Sequence, residues 1–414
     1  MRTTLAALAL SAAAALDCDG SAGVEECGAN RLGNAPMPLF LVDKADAERS
    51  GGVCLDGSPP GFYFSAATAE ADSTSWVLYF KGGGWCYEES SCAARATGAL
   101  GSSKHFAPTF SFSGLMDSDP SVSDFAGFNR AILWYCDGAS FTGDRTQPYY
   151  HKPTNSTLYF RGKRVLDLLL DTLLEKHNLS SATDVLLSGG SAGGLSAYLH
   201  ADHVHARLLA RGVPLRRFKV APVSGFFLLH RNATGAAQYP DEMKYVVTMQ
   251  NSTGGLHPDC VAAQPPSERW RCIFANYSYQ ASRAPFFPLQ SALDAWQMGN
   301  IWEGEPNCTN SAFADCSPGE IRDLNQYEAD LMRDLRPPGG KAERPGEGGF
   351  VESCHEHCAA QGAKGFDTYT IGGTTMAQAV GAWWRAAPDA PAVAHWHTPC
   401  SLNADAPHQC NPTC

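Results

Sequence analysis

Residues 185–204 read as a β-strand, a glycine-rich turn and a helix in direct succession, which is the order of a βα unit in an α/β fold. Val185–Leu187 is apolar, residues 188–194 read Ser-Gly-Gly-Ser-Ala-Gly-Gly, and the helical pattern beyond places Leu195 and Leu199 on one side. In a G-x-S-x-G turn the serine occupies a strained strand-to-helix connection, where side chains in place of the glycines would collide with backbone. The pattern predicts that Ser191 is presented as a nucleophile at the carboxyl end of a sheet. The alternative is a glycine-rich turn that carries a solvated serine.

Two further apolar runs precede this unit. Trp76–Phe80 ends at a run of glycines, and Ala131–Tyr135 is followed by a helical pattern over residues 158–177. Near-continuous apolar strands alternate with helices where a parallel sheet is covered on both faces. With 414 residues, of which 44% are hydrophobic, the chain can build a large core. We therefore predict the α/β class with a mostly parallel sheet flanked by helices. The glycine turn at Ser191 makes this sheet α/β-hydrolase-like, and the cysteines described below predict disulfide-stapled loops.

The N-terminal residues are typical of a secretory signal. Arg2 precedes a small, apolar run from Leu5 to Leu16, which is too short to cross a bilayer and contains an A-x-A cleavage pattern. A buried N-terminal helix is the alternative. We assign residues 1–16 to a signal peptide, 17–50 to an N-terminal leader and 51–414 to a single catalytic domain with insertions. Within that domain, the glycine- and proline-rich residues 336–349 predict a mobile surface loop.

The cysteine content indicates an oxidising compartment. The chain has 15 cysteines, which would have no structural use in a reducing cytosol but form disulfides after export. The odd total predicts one thiol that is free or paired between chains. Close pairs that could staple loops are Cys86/Cys92, Cys260/Cys272 and Cys308/Cys316. Glycosylation sequons begin at Asn155, Asn178, Asn232, Asn251, Asn276 and Asn307. We therefore expect a secreted glycoprotein.

The charge balance excludes a dominant role in nucleic-acid binding. Lys and Arg number 31 against 42 Asp and Glu, which gives a formal net charge of −11. A nucleic-acid protein needs a basic surface that displaces counterions from phosphates, and the sequence shows no basic run. We expect no nucleic-acid partner, no stable membrane insertion, and no metal or organic cofactor.

A second glycine-rich segment is suited to stabilising negative charge beside the serine. Gly82–Trp85 follows the strand that ends at Phe80, which is where α/β-hydrolases carry one donor loop of the oxyanion hole. Glycines let the backbone approach a substrate closely. We predict that an N–H group of Gly84 or Trp85 joins that of Ala192 to form the hole. A simple tight turn is the alternative.

A series of different short motifs follows one another from about Val53 to the C-terminus. They are Val53–Pro60, Gly82–Cys86, Tyr135–Phe141, Ser191–Ala197, Leu293–Gln297, Ser353–Cys354 with His357–Cys358, Ala379–Gly381 and Cys410–Cys414. In these motifs the chain resembles the pectin acetylesterase family, which includes the animal Notum carboxylesterases. The resemblance covers most of the chain.

The resemblance implies a Ser–Asp–His triad carried by Ser191, Asp294 and His357. In such a triad the serine attacks, the histidine transfers the proton, and the aspartate fixes the imidazole tautomer. The order of the three residues along the chain is that of α/β-hydrolases. Asp294 and His357 each follow an apolar stretch, so we expect both on loops at strand ends.

The local chemistry alone leaves an alternative interpretation for each of the two residues paired with the serine. Asp294 would equally suit the N-cap of a helix that begins at Ala295. His355 lies two residues from His357, and only the family's S-C-x-x-H-C pattern selects His357. Residues 354–358 also resemble a zinc site, although disulfides are the favoured use of cysteine in an oxidising compartment. The remaining histidines near the serine are expected at the helix surface: His200, His203 and His205.

The function implied by the resemblance is that of a secreted serine carboxylesterase, extracellular or in the cell wall. It would remove acetyl groups from an acetylated, pectin-like polysaccharide through an acyl-enzyme. One alternative is a Notum-like carboxylesterase that removes a longer acyl chain from a protein or lipid. An alternative of another class is a catalytically silent glycan-binding glycoprotein.

Overall fold

The computed structural model describes residues 34–310, 313–396 and 411–414. Its strands are β1 (Met37–Leu41), β2 (Gly61–Ser65), β3 (Ser75–Phe80), β4 (Thr109–Phe110), β5 (Asn129–Leu133), β6 (Tyr149–His151), β7 (Ser156–Leu158), β8 (Asp184–Gly190), β9 (Arg217–Val223), β10 (Leu289–Ser291), β11 (Gly348–Glu352), β12 (Thr370–Ile371), β13 (Thr374–Thr375) and β14 (Val393–Trp396). Its α-helices are α1 (Lys44–Ser50), α2 (Glu89–Arg95), α3 (Gly162–Lys176), α4 (Ala192–Ala210), α5 (Gln238–Gln250), α6 (Pro258–Ala263), α7 (Ala275–Ala281), α8 (Ala295–Gln297), α9 (Pro306–Asn310), α10 (Pro318–Leu335), α11 (Ala363–Phe366) and α12 (Met376–Arg385).

A mixed sheet forms the centre of the described chain. Its order is β14-β11-β10-β9-β8-β3-β5-β2-β1-β4. The strands from β14 to β5 in this order pair in parallel, whereas β2, β1 and β4 are joined in antiparallel fashion at one edge. Two small hairpins, β6-β7 and β12-β13, lie outside the sheet. The predicted α/β class with a mostly parallel sheet is therefore confirmed.

Both faces of the parallel strands are buried, as their continuous apolar sequences predict. Successive residues of β3 enter opposite cores: Trp76 and Leu78 pack in one, and Val77 and Tyr79 pack in the other. The first core includes the apolar sides of α3 and α4, and the second includes that of α12. Successive residues of a strand point to opposite faces of the sheet. Because both faces are buried here, both sets of residues are apolar, which explains the apolar runs in the sequence.

The N-terminal part of the fold starts earlier than the sequence analysis placed it. Residues 17–50 were assigned to a leader, but β1 and α1 lie within this segment, and β1 pairs with β2 in the main sheet. The short strand gives little periodicity, and its pairing depends on partners from other parts of the chain. The predicted signal peptide, residues 1–16, lies outside the described residues. Among the described helices, none is both long and apolar enough to cross a bilayer.

Disulfides staple the loops around the sheet. The three close pairs predicted from spacing are present: Cys86–Cys92, Cys260–Cys272 and Cys308–Cys316. Cys54–Cys136 and Cys354–Cys414 join segments that are 82 and 60 residues apart. The second of these holds the C-terminal residues against the end of β11.

The segment predicted as a mobile surface loop, residues 336–349, is partly buried. Lys341 and Glu347 form an ion pair of 2.6 Å between Nζ and Oε1, and their side chains are only 1% and 4% exposed. The second carboxylate oxygen of Glu347 accepts a hydrogen bond from the N–H of Phe286. Burial lowers the pKa of Lys341 and raises the pKa of Glu347, while the attraction between them opposes both shifts. The glycines and prolines indicated a turn but carried no information about this contact.

We predict that replacing only the lysine of this ion pair lowers the stability much more than replacing both charged residues by neutral ones. Lys341→Met should lower the free energy of unfolding by about 3–5 kcal/mol, because a buried carboxylate loses its partner. Lys341→Met/Glu347→Gln should recover a large part of this loss, since the amide keeps an acceptor for Phe286. Denaturant unfolding measures both values.

The exposed pair Lys44–Glu48 provides the control. Its side chains are 80% and 64% exposed, so Lys44→Met should change stability by less than about 1 kcal/mol. A double variant at residues 341 and 347 that is no more stable than Lys341→Met alone would contradict the account of an uncompensated buried charge.

Candidate active site

Ser191 occupies a sharp turn between β8 and α4. Its backbone has φ 58° and ψ −128°, a conformation that non-glycine residues rarely adopt, and its N–H donates to the carbonyl oxygen of Val223 at 2.9 Å. A Cβ at Gly189 would lie 2.3 Å from the carbonyl oxygen of Gly193, and one at Gly193 would lie 2.1 Å from that of Phe80. The glycines of the motif are therefore required by close backbone approach, as predicted from the sequence.

His357 connects Ser191 to Asp294. Its Nε2 lies 2.9 Å from Ser191 Oγ, and its Nδ1 lies 2.8 Å and 3.0 Å from the two carboxylate oxygens of Asp294. These contacts fit a neutral imidazole that carries its proton on Nδ1, donates to the carboxylate and accepts from the serine hydroxyl. Asp294 is fully buried, whereas Ser191 and His357 retain 6% and 8% exposure. The three residues selected from the sequence are brought together.

The loops that carry Asp294 and His357 remain hydrogen-bonded beyond the ends of their strands. β10 and β11 pair in parallel register, with Ser291 opposite Glu352. After the strands, the N–H of Ala292 donates to the carbonyl of Glu352 at 2.7 Å, and the N–H of Ala295 donates to that of Glu356 at 3.3 Å. The two loops therefore form one unit that fixes the distance between carboxylate and imidazole.

Asp294 also caps a helix, so the two interpretations of this residue are compatible. Its Oδ1 accepts the N–H of Gln297 at 3.0 Å, at the start of α8. The Gln297 side chain in turn accepts from the N–H of Leu228 and donates to the carbonyl of Phe226. Gln297 was not identified from the sequence, although it lies in the same family motif as Asp294.

His355 points elsewhere. Its ring packs against Phe313 with the centroids 4.5 Å apart, and burial lowers the pKa of its imidazole. Glu352, Cys354 and Cys414 lie close enough together to suggest a metal site. The two cysteines are joined in a disulfide, however, so this group offers no thiolate to zinc. The pattern over residues 354–358 thus combines a disulfide half, an aromatic contact and the histidine that faces Ser191.

Gly82–Trp85 lies against the serine turn. A Cβ at Gly82 would be 2.2 Å from the carbonyl oxygen of Gly190 and 3.0 Å from Ser191 Cβ. Gly83 and Gly84 have φ of 144° and 60°, which side chains rarely permit. Within the described residues, the backbone N–H groups of Gly84, Trp85 and Ala192 donate no hydrogen bond to the protein. Donors left free beside a serine hydroxyl are what an oxyanion hole requires.

An aromatic cluster borders His357. We call Trp85, Phe227, Tyr239 and Trp296 the aromatic wall. Ring centroids are 4.9 Å apart for Trp85–Phe227, 5.1 Å for Phe227–Trp296 and 5.9 Å for Tyr239–Trp296. The imidazole lies 6.3 Å from the Phe227 ring and 6.4 Å from the Trp296 ring. No motif in the sequence marks Phe227 or Tyr239 as part of the site.

One histidine of α4 is buried, contrary to expectation. His200 is 1% exposed, and its Nε2 lies 2.9 Å from the carbonyl oxygen of Ser140. Burial lowers the pKa of His200 to about 3, so the ring stays neutral. His203 and His205 are partly exposed. Helix periodicity alone did not show that the first turns of α4 are enclosed on all sides beneath Ser191.

Comparisons with known proteins agree with this architecture. A family model described as pectinacetylesterase matches residues 32–414. Pectin acetylesterase 7 of Arabidopsis thaliana is 32% identical over 368 residues, which cover 85% of this chain and 88% of that protein. The palmitoleoyl-protein carboxylesterase NOTUM of Homo sapiens is 26% identical over 281 residues, covering 66% of this chain and 53% of that protein.

A solved structure supports the fold. The Wnt deacylase Notum from Drosophila superposes with a TM-score of 0.73 at 21% identity, over 92% of this chain and 99% of that one. The predicted α/β-hydrolase-like fold is thereby confirmed. The sequence relatives show that the chain is a carboxylic ester hydrolase. With a family model that matches nearly the whole chain, the protein belongs to the pectin acetylesterase family.

Proposed function

We propose that the protein is a secreted serine carboxylesterase that removes acetyl groups from an acetylated, pectin-like cell-wall polysaccharide. The observation that carries the proposal is the pair of contacts made by His357, 2.9 Å to Ser191 Oγ and 2.8 Å to the Asp294 carboxylate. A serine hydroxyl is a weak nucleophile until a base accepts its proton, and a base needs a third group to hold its tautomer.

In the acylation step, Ser191 Oγ attacks the ester carbonyl carbon while His357 Nε2 takes the hydroxyl proton. The carbonyl electron pair moves onto oxygen, where the N–H groups of Ala192 and of Gly84 or Trp85 stabilise the negative charge. The intermediate collapses to an acetyl-serine, and the imidazolium gives its proton to the departing sugar oxygen. Asp294 stabilises the imidazolium throughout this step.

In the deacylation step, water replaces the sugar alcohol. His357 takes a proton from the water as its oxygen attacks the acetyl carbonyl, and the same N–H groups stabilise the second oxyanion. Collapse releases acetic acid, which ionises to acetate in solution, and the imidazolium returns its proton to Ser191 Oγ. His357 thus accepts and returns the proton in both steps.

The aromatic wall supports a short acyl group. Rings with centroids 4.9 Å and 5.1 Å apart are in van der Waals contact, so an alkyl chain cannot pass between Trp85, Phe227 and Trp296 without displacing one of them. We infer that the acyl group lies against this wall beside His357, where an acetyl group requires no such displacement. A Notum-like activity on a longer chain is the second candidate, and the similarity in fold and sequence to Notum favours it.

Export is supported by the covalent structure. The five disulfides of the described residues are stable only in an oxidising compartment. Four of the predicted glycosylation sites, Asn155, Asn178, Asn251 and Asn307, are exposed. Both features suit an enzyme that meets a cell-wall polymer outside the cell.

We predict that Ser191→Ala abolishes turnover. Acetate release from acetylated pectin should fall by about 10⁶-fold, because the nucleophile acts as a unit with its base. A fluorophosphonate probe should label the wild type and leave Ser191→Ala unlabelled. Equal labelling of the two proteins would show that another residue is the nucleophile, and an unlabelled, inactive wild type would favour the catalytically silent glycan-binding alternative.

We predict opposite outcomes for the two neighbouring histidines. His357→Ala should nearly abolish acetate release, since no base then contacts Ser191 Oγ. His355→Ala should retain much of the activity per folded molecule, because that ring packs against Phe313. Circular dichroism and thermal melting identify any loss caused by unfolding. The reverse ranking of the two variants would assign the base role to His355.

We predict that kcat/KM for p-nitrophenyl esters falls steeply as the acyl chain lengthens from acetyl to octanoyl. Phe227→Ala should flatten this dependence, because it opens the aromatic wall beside His357. The substitution Phe218→Ala, in a buried ring on β9, is the control for the loss of a core phenyl group. A wild-type preference for chains of eight carbons or more would replace the acetyl assignment with the Notum-like one.

A further inference from the structure

We propose that Tyr135 and Ser140 are positioning residues that hold the two sides of the oxyanion hole in register. The inference rests on the proposed esterase mechanism and adds to it two side chains that touch no substrate. Tyr135 is 1% exposed and Ser140 is fully buried. Tyr135 acts through the peptide group that carries the Trp85 N–H, whereas Ser140 acts through the Trp85 ring and the carbonyl of Ala192. Both residues lie on the segment that follows β5.

The Tyr135 hydroxyl fixes one donor. Tyr135 Oη donates to the carbonyl oxygen of Gly84 at 2.8 Å. In a trans peptide the C=O and N–H bonds point in opposite directions, so fixing this carbonyl directs the N–H of Trp85 to the other side. Arg95 does the same for the preceding peptide, since its Nη2 donates to the carbonyl of Gly83 at 2.7 Å and thereby orients the N–H of Gly84.

The Ser140 hydroxyl connects this loop to the serine turn. Its Oγ accepts from Trp85 Nε1 at 2.9 Å and donates to the carbonyl oxygen of Ala192 at 2.8 Å. Trp85 and Ala192 belong to segments that follow different strands, β3 and β8. The Ser140 hydroxyl therefore links Trp85 and Ala192, two residues whose N–H groups we assign to the oxyanion hole.

The two positioning groups are themselves joined. The N–H of Ser140 donates to Tyr135 Oη at 3.0 Å, and the carbonyl of Ser140 accepts from His200. Tyr135 Oη thus accepts one hydrogen bond and donates another, which orients its proton toward Gly84. The result is a continuous chain of hydrogen bonds from Ala192 through Ser140 and Tyr135 to Gly84.

The backbone of this segment is strained, which a simple core loop would not require. Ser140 and Phe141 have φ of 52° and 59°, and neither is glycine. Asp137 holds the turn by accepting the N–H groups of Ala139 and Phe141 at 3.2 Å and 2.9 Å. Burial raises the pKa of Asp137 to about 7. Strain kept in place by such a set of contacts is typical of functional sites.

The test compares Tyr135→Phe with Tyr63→Phe. Tyr63 is a fully buried tyrosine on β2 whose hydroxyl also donates to a backbone carbonyl at 2.8 Å, that of Ala107. Tyr135→Phe should lower kcat by about 10- to 100-fold, less than the 10²–10³-fold typical when an oxyanion donor is deleted. KM should change little, because acylation and deacylation both pass through an oxyanion and slow together. Tyr63→Phe should keep the wild-type kcat per active site, counted by fluorophosphonate titration.

A trifluoromethyl ketone supplies a readout that a purely structural role would not change. Ser191 Oγ adds to its carbonyl carbon, the proton passes to His357, and the carbonyl oxygen becomes an oxyanion in the hole. The inhibition constant for Tyr135→Phe should rise by about the same factor as kcat falls, since both report stabilisation of that charge. For Tyr63→Phe it should stay at the wild-type value.

A second pair of variants keeps the test decisive if Tyr135→Phe does not fold. Ser140→Gly removes the bridging hydroxyl and suits the positive φ, and its control is Ser123→Ala, where a buried hydroxyl donates to the carbonyl of Leu115. Loss of kcat and of ketone affinity in Ser140→Gly but not in the control supports the proposal. Equal kcat and inhibition constants in each variant and its control would overturn it, whereas a wild type without esterase activity would overturn the proposed function itself.

Discussion

The parallel pairing of β3, β8, β9, β10 and β11 is the constraint on which the site depends. Parallel neighbours leave a sheet at the same edge, so residues 82–85, Ser191, Asp294 and His357 emerge side by side although they are far apart in the chain. The register between β10 and β11 then determines how close Asp294 and His357 come. The two strands end opposite each other, and their loops remain hydrogen-bonded up to Ala295. The hydrogen bonds between neighbouring strands thus hold the reacting side chains at hydrogen-bond distance, about 3 Å, from one another.

The sequence predicted best the features whose physical causes are local. The strand, glycine turn and helix around Ser191 can be read from one stretch, because the apolar run, the close backbone approach and the helix start all involve neighbouring residues. The helix expected over 158–177 forms as Gly162–Lys176 for the same reason. Asp294 and His357 are different: an N-cap aspartate and a second histidine fit the local chemistry equally well, and only the family motifs selected the residues that meet Ser191.

The sequence failed where burial depends on distant partners. His200 was expected at the surface, yet Ser140 and the segment after β5 enclose it. Residues 336–349 read as a loop because glycine and proline dominate them, but Lys341 and Glu347 pair inside the protein. β1 is short and mostly exposed, so its place in the sheet follows from β2 and β4 rather than from its own pattern. None of these contacts leaves a periodic signal.

Trp85 links acyl selectivity to catalysis in the proposed mechanism. Its backbone faces the oxyanion, its ring contacts Phe227 and Trp296, and its indole N–H is held by Ser140. Changing this ring to admit a longer acyl chain would also remove the contact that aligns the loop, so selectivity and rate would change together. Phe227 carries no such second role, because Gln297 holds the backbone on either side of it. A change in acyl length within this fold is therefore easiest at Phe227, where the wall can open while the oxyanion donors stay in place.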